Sequence, residues 1–542
     1  MQVLKSLAAA ALIGASASTA ALQIDYVGSF GPGVEGGAEI AAFDPTTVRL
    51  FVTNSDSNSL DRYDLSDPVA PVTLGSLDLS PFGAAPNSVA VADGLVAVAV
   101  EAAPAQDPGV IVFFDADGVL LGQVTVGALP DMVTFTPDGS RLLVANEGEP
   151  NDDYTIDPEG SVSIIDLSGG VAAATVQTAG FADFNAGGPL AGDLPADVRI
   201  FGPGATVAQD LEPEYISTDE LGTTAWVTLQ ENNAVAVVDI ASATVIGIVA
   251  LGFKDHTLPT NPLDASDEDG PMAAPAINIA NWPVLGMYQP DAISTMTIGG
   301  VPYLFTANEG DARDYDGYSE EDRIGDVTLD PTAFPDAAIL QSNANLGRLN
   351  MTLANGDADA DNDYDQLYVY GGRSFSVWNG LTGALVWDSG SEFEDVTAAL
   401  GLPFFNDDDG RSDNKGPEPE GIATGLVDNQ RFAFIGLERV DSFFVYDVTD
   451  PTAPQLQELV PSPAGEEAPE GVLFIEAADT PTGLPWLAIT HEDSGTVALY
   501  QLTGNGTTSA RPIPTLDSGG LAVLVGLLML LGFTAVRLRA DD

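Results

Sequence analysis

Three observations predict an all-β chain folded as a seven-bladed β-propeller with long loop insertions on one face. First, short β-branched runs recur, each closing on a polar residue before a turn: Leu60–Leu65, Val110–Asp115, Val162–Leu167, Val235–Ile240, Phe375–Asn379, Phe443–Val448 and Val497–Leu502. Asp64, Asp115 and Asp166 recur at intervals of 51 residues, a repeat length suited to four strands. Second, turn signals such as Thr136-Pro137-Asp138-Gly139 separate the runs, and no amphipathic helical stretch does, which excludes a parallel α/β arrangement. Third, the seventh unit ends after its third strand, while Leu22–Val27 supplies a spare one near the start. A chain end that completes the last blade removes an open sheet edge. The propeller is expected to span residues 21–502.

Each unit follows one order. The first strand opens at Glu39, Asn87, Asp131, Glu214, Asp291, Glu420 and Glu470 in turn. The second closes at Asn54, Glu101, Glu147, Glu231, Glu309, Glu438 and Glu492. The third strands are the runs above, and the fourth leads to the next unit, as Val245–Leu251 does. In such blades the second-to-third and fourth-to-first connections emerge on one face. The long connections, 147–160, 181–211, 253–288, 310–364 and 391–415, are all of those two kinds. They are expected to share a face, where function resides on a rigid scaffold.

Composition narrows the chemistry. The 542 residues carry 80 acidic and 17 basic side chains, a net charge of −63, with no cysteine and two histidines. That charge excludes nucleic acid as a partner, because phosphates need Lys or Arg. The absence of cysteine excludes disulfides, thiol catalysis and thiolate-held metal. The hydrophobic share of 45% is ample for a large core, so the acidity does not mean disorder.

The ends read as addresses. Residues 1–20 combine Lys5, the apolar run Leu7–Ala15 and small residues up to Ala20, the pattern of an export signal. Residues 503–512 form a Gly/Thr/Ser-rich linker. Within 513–542, Ile513-Pro514-Thr515-Leu516 precedes an uncharged apolar stretch, about 518–536, long enough to span a bilayer. Arg537 and Arg539 follow it and leave the bulk of the chain outside. This tail resembles the IPTL-type sorting domains of Gram-negative bacteria. The resemblance implies a membrane anchor, an exosortase-type sorting protease as partner, and a cell-surface or extracellular destination. Asp517-Ser518-Gly519-Gly520 stands where such tails usually have a Trp-Gly pair.

Two acidic features predict calcium. The first is the channel mouth, where the first strand of each unit lines the axis and the two sets of acids above should form rings; the metal candidates there are Glu147, Glu231, Glu309, Glu438 and Glu492. Clustered carboxylates repel unless paired or metal-bound. The second is the loop Gly356–Asp365, with Asp357, Asp359, Asp361, Asp363 and Asp365 at alternate positions. Hard oxygens converging over a tight turn are calcium chemistry. An EF-hand would have Gly at the sixth position and Glu at the twelfth; Asn362 and Tyr368 stand there instead, and Asn tolerates the left-handed backbone the turn needs. A weaker acidic turn lies at Asn406–Gly410.

Several long motifs occur together: Ala145-Asn146-Glu147-Gly148-Glu149-Pro150, Gly252-Phe253-Lys254-Asp255-His256, Asn281-Trp282-Pro283-Val284, Ala307-Asn308-Glu309-Gly310-Asp311-Ala312-Arg313-Asp314-Tyr315 and Arg411-Ser412-Asp413-Asn414-Lys415-Gly416-Pro417-Glu418-Pro419-Glu420-Gly421. With these the chain resembles the choice-of-anchor I family of secreted bacterial propeller proteins. The resemblance implies surface display through a variable anchor, and some relatives carry an alkaline-phosphatase label. Two functional classes follow. One is a calcium-binding adhesion or binding module. The other is a calcium-dependent phosphoesterase, alkaline phosphatase- or phytase-like, acting at the carboxylate mouth. For the second, Glu309, His491, Arg313 and Lys415 are the candidate catalytic groups. Scarce cations among carboxylates also read as internal salt bridges. No Gly-x-Ser-x-Gly elbow, Walker loop or dinucleotide fingerprint is present.

Overall fold

A computed structural model describes residues 22–504. The export signal, most of the linker and the membrane-anchor segment named above lie outside the described residues. Among those described, no helix is long and apolar enough to cross a membrane.

Seven four-stranded antiparallel sheets carry the chain. Their innermost strands are Ala41–Asp44, Pro86–Ala92, Pro130–Phe135, Pro213–Thr218, Ile293–Ile298, Pro419–Val427 and Pro469–Ile475. Each innermost strand touches the next, and the seventh touches the first, so the blades close into a ring. Blade 7 is completed by Gln23–Phe30, which pairs antiparallel with Thr496–Thr503. Gln23 faces Thr503 and Phe30 faces Val497, with one bulge between Tyr26 and Gly28.

The second and third strands of each blade are buried on both faces. Leu142–Ala145, Ala97–Val100 and Leu487–Ile489 are wholly inaccessible. Their Val, Ile, Leu and Phe side chains pack between adjacent blades, as Leu143, Ile164, Val227 and Ala236 do between blades 3 and 4. Between blades 5 and 6 the filling is aromatic: Phe375 lies 4.6 Å from Tyr446, and Phe393 4.6 Å from Phe444, centroid to centroid. Broad apolar β-branched runs suit strands buried on both sides.

One irregularity recurs where the innermost strands begin. In blades 3, 4, 6 and 7 the strand starts with proline paired to the end of its neighbour, and the register then slips by one residue. The slipped positions are Asp131-Met132, Glu214-Tyr215, Glu420-Gly421 and Glu470-Gly471. Proline is tolerated there because it lacks the N–H a regular ladder would use. A bulge of this kind re-aims a side chain, and here it re-aims acids. In two of these blades a threonine of the second strand satisfies the amide left over: Thr228 Oγ1 accepts from Tyr215 N at 2.9 Å, and Thr490 Oγ1 from Gly471 N at 2.9 Å. In blade 1, Thr53 Oγ1 accepts from Ile40 N at 2.9 Å. The same hydroxyls reach the following blade. Thr228 donates to the Asp291 carbonyl at 2.8 Å, and Thr490 donates to that of Glu39. Neighbouring inner strands approach so closely that a Cβ on Gly421 would collide with the Glu470 carbonyl.

Deleting residues 21–30 is expected to expose the edge of Thr496–Thr503 and drive aggregation, read by size-exclusion chromatography and melting temperature. A truncated protein that stays monomeric and melts unchanged would show that strand exchange does not hold the ring closed.

Candidate functional site

The re-aimed acids meet at the axis. A cavity of about 130 Å³ is lined by Asn87, Asp131, Glu214, Asp291, Glu420 and Glu470, one from each of six blades. The second-strand closers stand beside them: Glu147 feels Asp131 and Glu231, Glu438 feels Glu309, and Glu470 feels Glu39 and Glu492. The structure thus brings together Glu147, Glu231, Glu309, Glu438 and Glu492 with the inner-strand acids. Burial, then mutual repulsion, holds Glu147, Glu214, Asp291, Glu420 and Glu470 well above the ordinary carboxylate range. Burial likewise pushes Glu39, Asp131 and Glu231 up to about 7 and Glu438 to about 8. One oxygen each of Glu231, Glu420 and Glu470 is buried without a hydrogen-bond partner among the described residues. Buried polar atoms rarely stay unpartnered.

Above the cavity the insertions form a second layer with a core of its own, Leu263, Val284, Ile324, Phe334, Leu349 and Leu367 among it. The scarce cations brace this layer across long sequence separations. Arg313 is 1% exposed and pairs with Asp210 and, at 2.8 Å, with Glu212. Arg199 pairs with Glu320. The Phe201 ring lies against both guanidinium groups, 4.2 and 4.6 Å from its centroid. Arg373 holds Glu394 at 2.8 Å, Arg348 holds Asp267 and Asp413 at 2.9 Å, and Lys254 holds Asp388 at 3.0 Å. Tyr154 packs edge-on against Tyr315 and Tyr318 of another insertion.

Lys415 sits 2.9 Å from Glu309 and 3.1 Å from Asp311. Next to it Glu418 lies between Arg411, at 2.6 Å, and Arg439, at 3.2 Å. Burial alone would raise Glu418, but Lys415, Arg411 and Arg439 outweigh it and hold the carboxyl below its usual range. His491 is wholly buried, with Nε2 2.9 Å from Ser462 Oγ and Nδ1 3.9 Å from Glu466. Burial lowers it to about 4, so its imidazole is neutral at pH 7. It packs against the end of blade 6 and does not line the axial cavity. Arg313, Lys415 and Glu309 are therefore bound up in ion pairs, and His491 stands apart from them.

The acidic loop divides in two. Asp357, Asp359 and Asp361 place one carboxylate oxygen each within 4.8 Å of one another, and Asp363 and Asp365 do so with Asp330. Asp357 accepts from the amides of Asp361 and Asn362 at 3.2 and 3.1 Å, and Asp365 from that of Ala358 at 2.9 Å. Asn362 has a φ of 73°, the left-handed conformation that asparagine tolerates. Repulsion from Asp361 raises Asp359.

Residues 39–451 match the family model of the choice-of-anchor I domain. The chain belongs to the choice-of-anchor I family. It is 31% identical to Gigasin-3a of Magallana gigas over 206 residues, 33% of this chain and 72% of that one. It is 26% identical to the mesenchyme-specific cell surface glycoprotein of Strongylocentrotus purpuratus over 284 residues, 45% of this chain. That match spans about a third of the urchin protein, 35%. Similar solved structures include the Myceliophteria thermophila Cps50 (Swd1) β-propeller domain, with a TM-score of 0.43 at 9% identity over 89% of this chain and all of that one. Kuenenia stuttgartiensis hydrazine synthase has a TM-score of 0.44 at 12% identity over 86% and 96%. As a choice-of-anchor I protein the chain is a surface-associated propeller module. Glu149, Glu212, Glu418 and Asp330 join these clusters without having stood out in the sequence. Glu149 and Glu418 did lie inside the long family motifs, which was the available signal.

The mouth sets a pH dependence. In the unfolded chain these carboxyls titrate near ~4. In the folded mouth Glu39, Asp131 and Glu231 titrate near 7 and Glu438 near 8. Between those values the folded state keeps protons that the unfolded chain has released, so stability falls as pH rises through this window. Metal-free protein is expected to melt higher at pH 5 than at pH 8 by scanning calorimetry. A lower melting point at pH 5 would contradict it.

Proposed function

We propose that this choice-of-anchor I protein is an exported, surface-held propeller that binds calcium at its carboxylate mouth and uses the insertion layer above as a binding or adhesion surface. The supporting observation is the set of buried acids at the axis, among which Glu231, Glu420 and Glu470 each have one oxygen with no partner among the described residues. Such a cluster is relieved either by protons or by a cation, and at neutral pH a hard cation with oxygen ligands is the matching chemistry. Every candidate ligand is a carboxylate, which favours calcium over zinc or copper. The 357–365 loop is a second, exposed calcium position in this reading. The insertions, braced by buried ion pairs, offer a rigid surface for a ligand.

Surface display fits the urchin relative, which is named a cell surface glycoprotein. In this reading the chain is held at the membrane by residues 518–536, after handling by an exosortase-type protease. Hydrolysis of a phosphoester has less support: Arg313 and Lys415 are spent on carboxylates, and His491 is held by Ser462 and does not line the axial cavity.

Calcium is expected to raise the melting temperature of the purified protein, by about 2.7 kcal/mol of stability at a hundredfold excess over Kd. Magnesium is expected to do less, because it demands a tighter octahedron. Asp359→Asn with Asp361→Asn removes the share of the Asp357, Asp359 and Asp361 triad and leaves the remainder. No calcium response in calorimetry would overturn the reading. Phosphomonoester turnover abolished by both chelator and Glu309→Gln would replace it with an enzyme.

A further inference from the structure

We infer that one calcium ion sits off the propeller axis, between blades 3 and 4, held by Asp131, Glu147 and Glu214 with Glu231 beside them, and that Lys415 is the counter-charge at the acid triad between blades 5 and 6. The inference rests on the calcium reading above and says where in the mouth the ion binds.

The argument is an asymmetry of counter-charge. Among the described residues two carboxylate triads stand at the mouth, each with one oxygen per residue inside a 4.8 Å span: Asp131, Glu147 and Glu214, and Glu309, Glu418 and Glu438. Each spans two adjacent blades: the first joins two first-strand acids to the second-strand closer Glu147, and the second joins the closers Glu309 and Glu438 to Glu418, just ahead of a first strand. The second triad already holds cations of its own. Lys415 Nζ lies 2.9 Å from Glu309, and Arg411 and Arg439 flank Glu418. The first triad makes no ion pair among the described residues. Arg313 acts electrostatically on the neighbouring Glu231, but its ion pairs are with Asp210 and Glu212.

A further side chain points to a ligand there. Glu231 is 5% exposed, and its Oε2 is buried with no hydrogen-bond partner among the described residues. It acts electrostatically on both Glu147 and Glu214, so it borders the same space. Four carboxylates from two adjacent blades, one with a free buried oxygen, provide hard ligands in the number calcium takes from protein before water completes its shell. A lysine ammonium and a calcium ion are alternative answers to the same crowding, and this chain uses one on each side.

The test is calcium stoichiometry by isothermal titration calorimetry on the full chain carrying Asp359→Asn, Asp361→Asn, Asp363→Asn and Asp365→Asn, which removes both triads of the loop. One ion per chain is expected. Adding Glu147→Gln, or Asp131→Asn with Glu214→Gln, is expected to abolish that binding, while Glu309→Gln leaves it. Lys415→Met is expected to raise the count to two, a gain that a damaged fold cannot produce. Binding that survives Asp131→Asn with Glu214→Gln but is lost in Glu309→Gln overturns the placement and keeps the calcium reading. No binding before any mouth substitution overturns both. A Lys415→Met protein that still binds one ion overturns the role given to Lys415.

Discussion

Closure of the ring by the pairing of Gln23–Phe30 with Thr496–Thr503 is the constraint on which the mouth depends. The acids at the axis come from every blade but one, and they repel. An open arc of blades would relieve that repulsion by spreading. A closed ring cannot spread without breaking a sheet, so the repulsion is held in place. Burial inside that closed ring, with repulsion between the acids added to it, pushes Glu39 and Asp131 up to about 7. The threonine links across blades act in the same direction, since Thr228 and Thr490 each tie a second strand to the next blade's acidic residue.

Most of the described basic residues serve the insertion layer. A protein with 80 acidic side chains and 17 basic ones has little freedom in where its cations go. Here they join segments far apart in sequence: Arg313 to Glu212 and Arg199 to Glu320. Buried pairs of this kind add little net stability over apolar packing, but removing one partner strands a charge and costs about 3–5 kcal/mol. Their effect is to define one arrangement of five loops that would otherwise have many.

The blades were legible because strand pattern and turn chemistry are local. A run such as Val235–Ile240 carries its own evidence, and the spare strand near residue 22 follows from counting. The acid positions were legible for the same reason, one at each end of a recognisable strand. What aims them was not. The bulges at Asp131 and Glu214 are properties of a pair of strands in register, and a single strand does not announce its partner's slip. The ion pairs were hidden too, because Arg313 and Glu212 are a hundred positions apart and nothing in either neighbourhood names the other. His491 closes a strand as its neighbours in other blades do, yet its ring turns toward Ser462. The acidic loop read as one ligand set, while the fold recruits Asp330 and splits it into two triads.

The register that places Gln23 opposite Thr503 has a mechanical consequence. Third strands end, and fourth strands begin, on the face with short turns, so the described chain starts and finishes at one point on the side away from the acids. A tether continuing past residue 503 would hold the body from behind, like a stalk under a dish, with the cavity facing outward. Tension along it would fall on a strand clamped between two antiparallel partners, Trp486–His491 and Gln23–Phe30. That strand would shear along its length instead of peeling from an edge, and the whole ring would share the load.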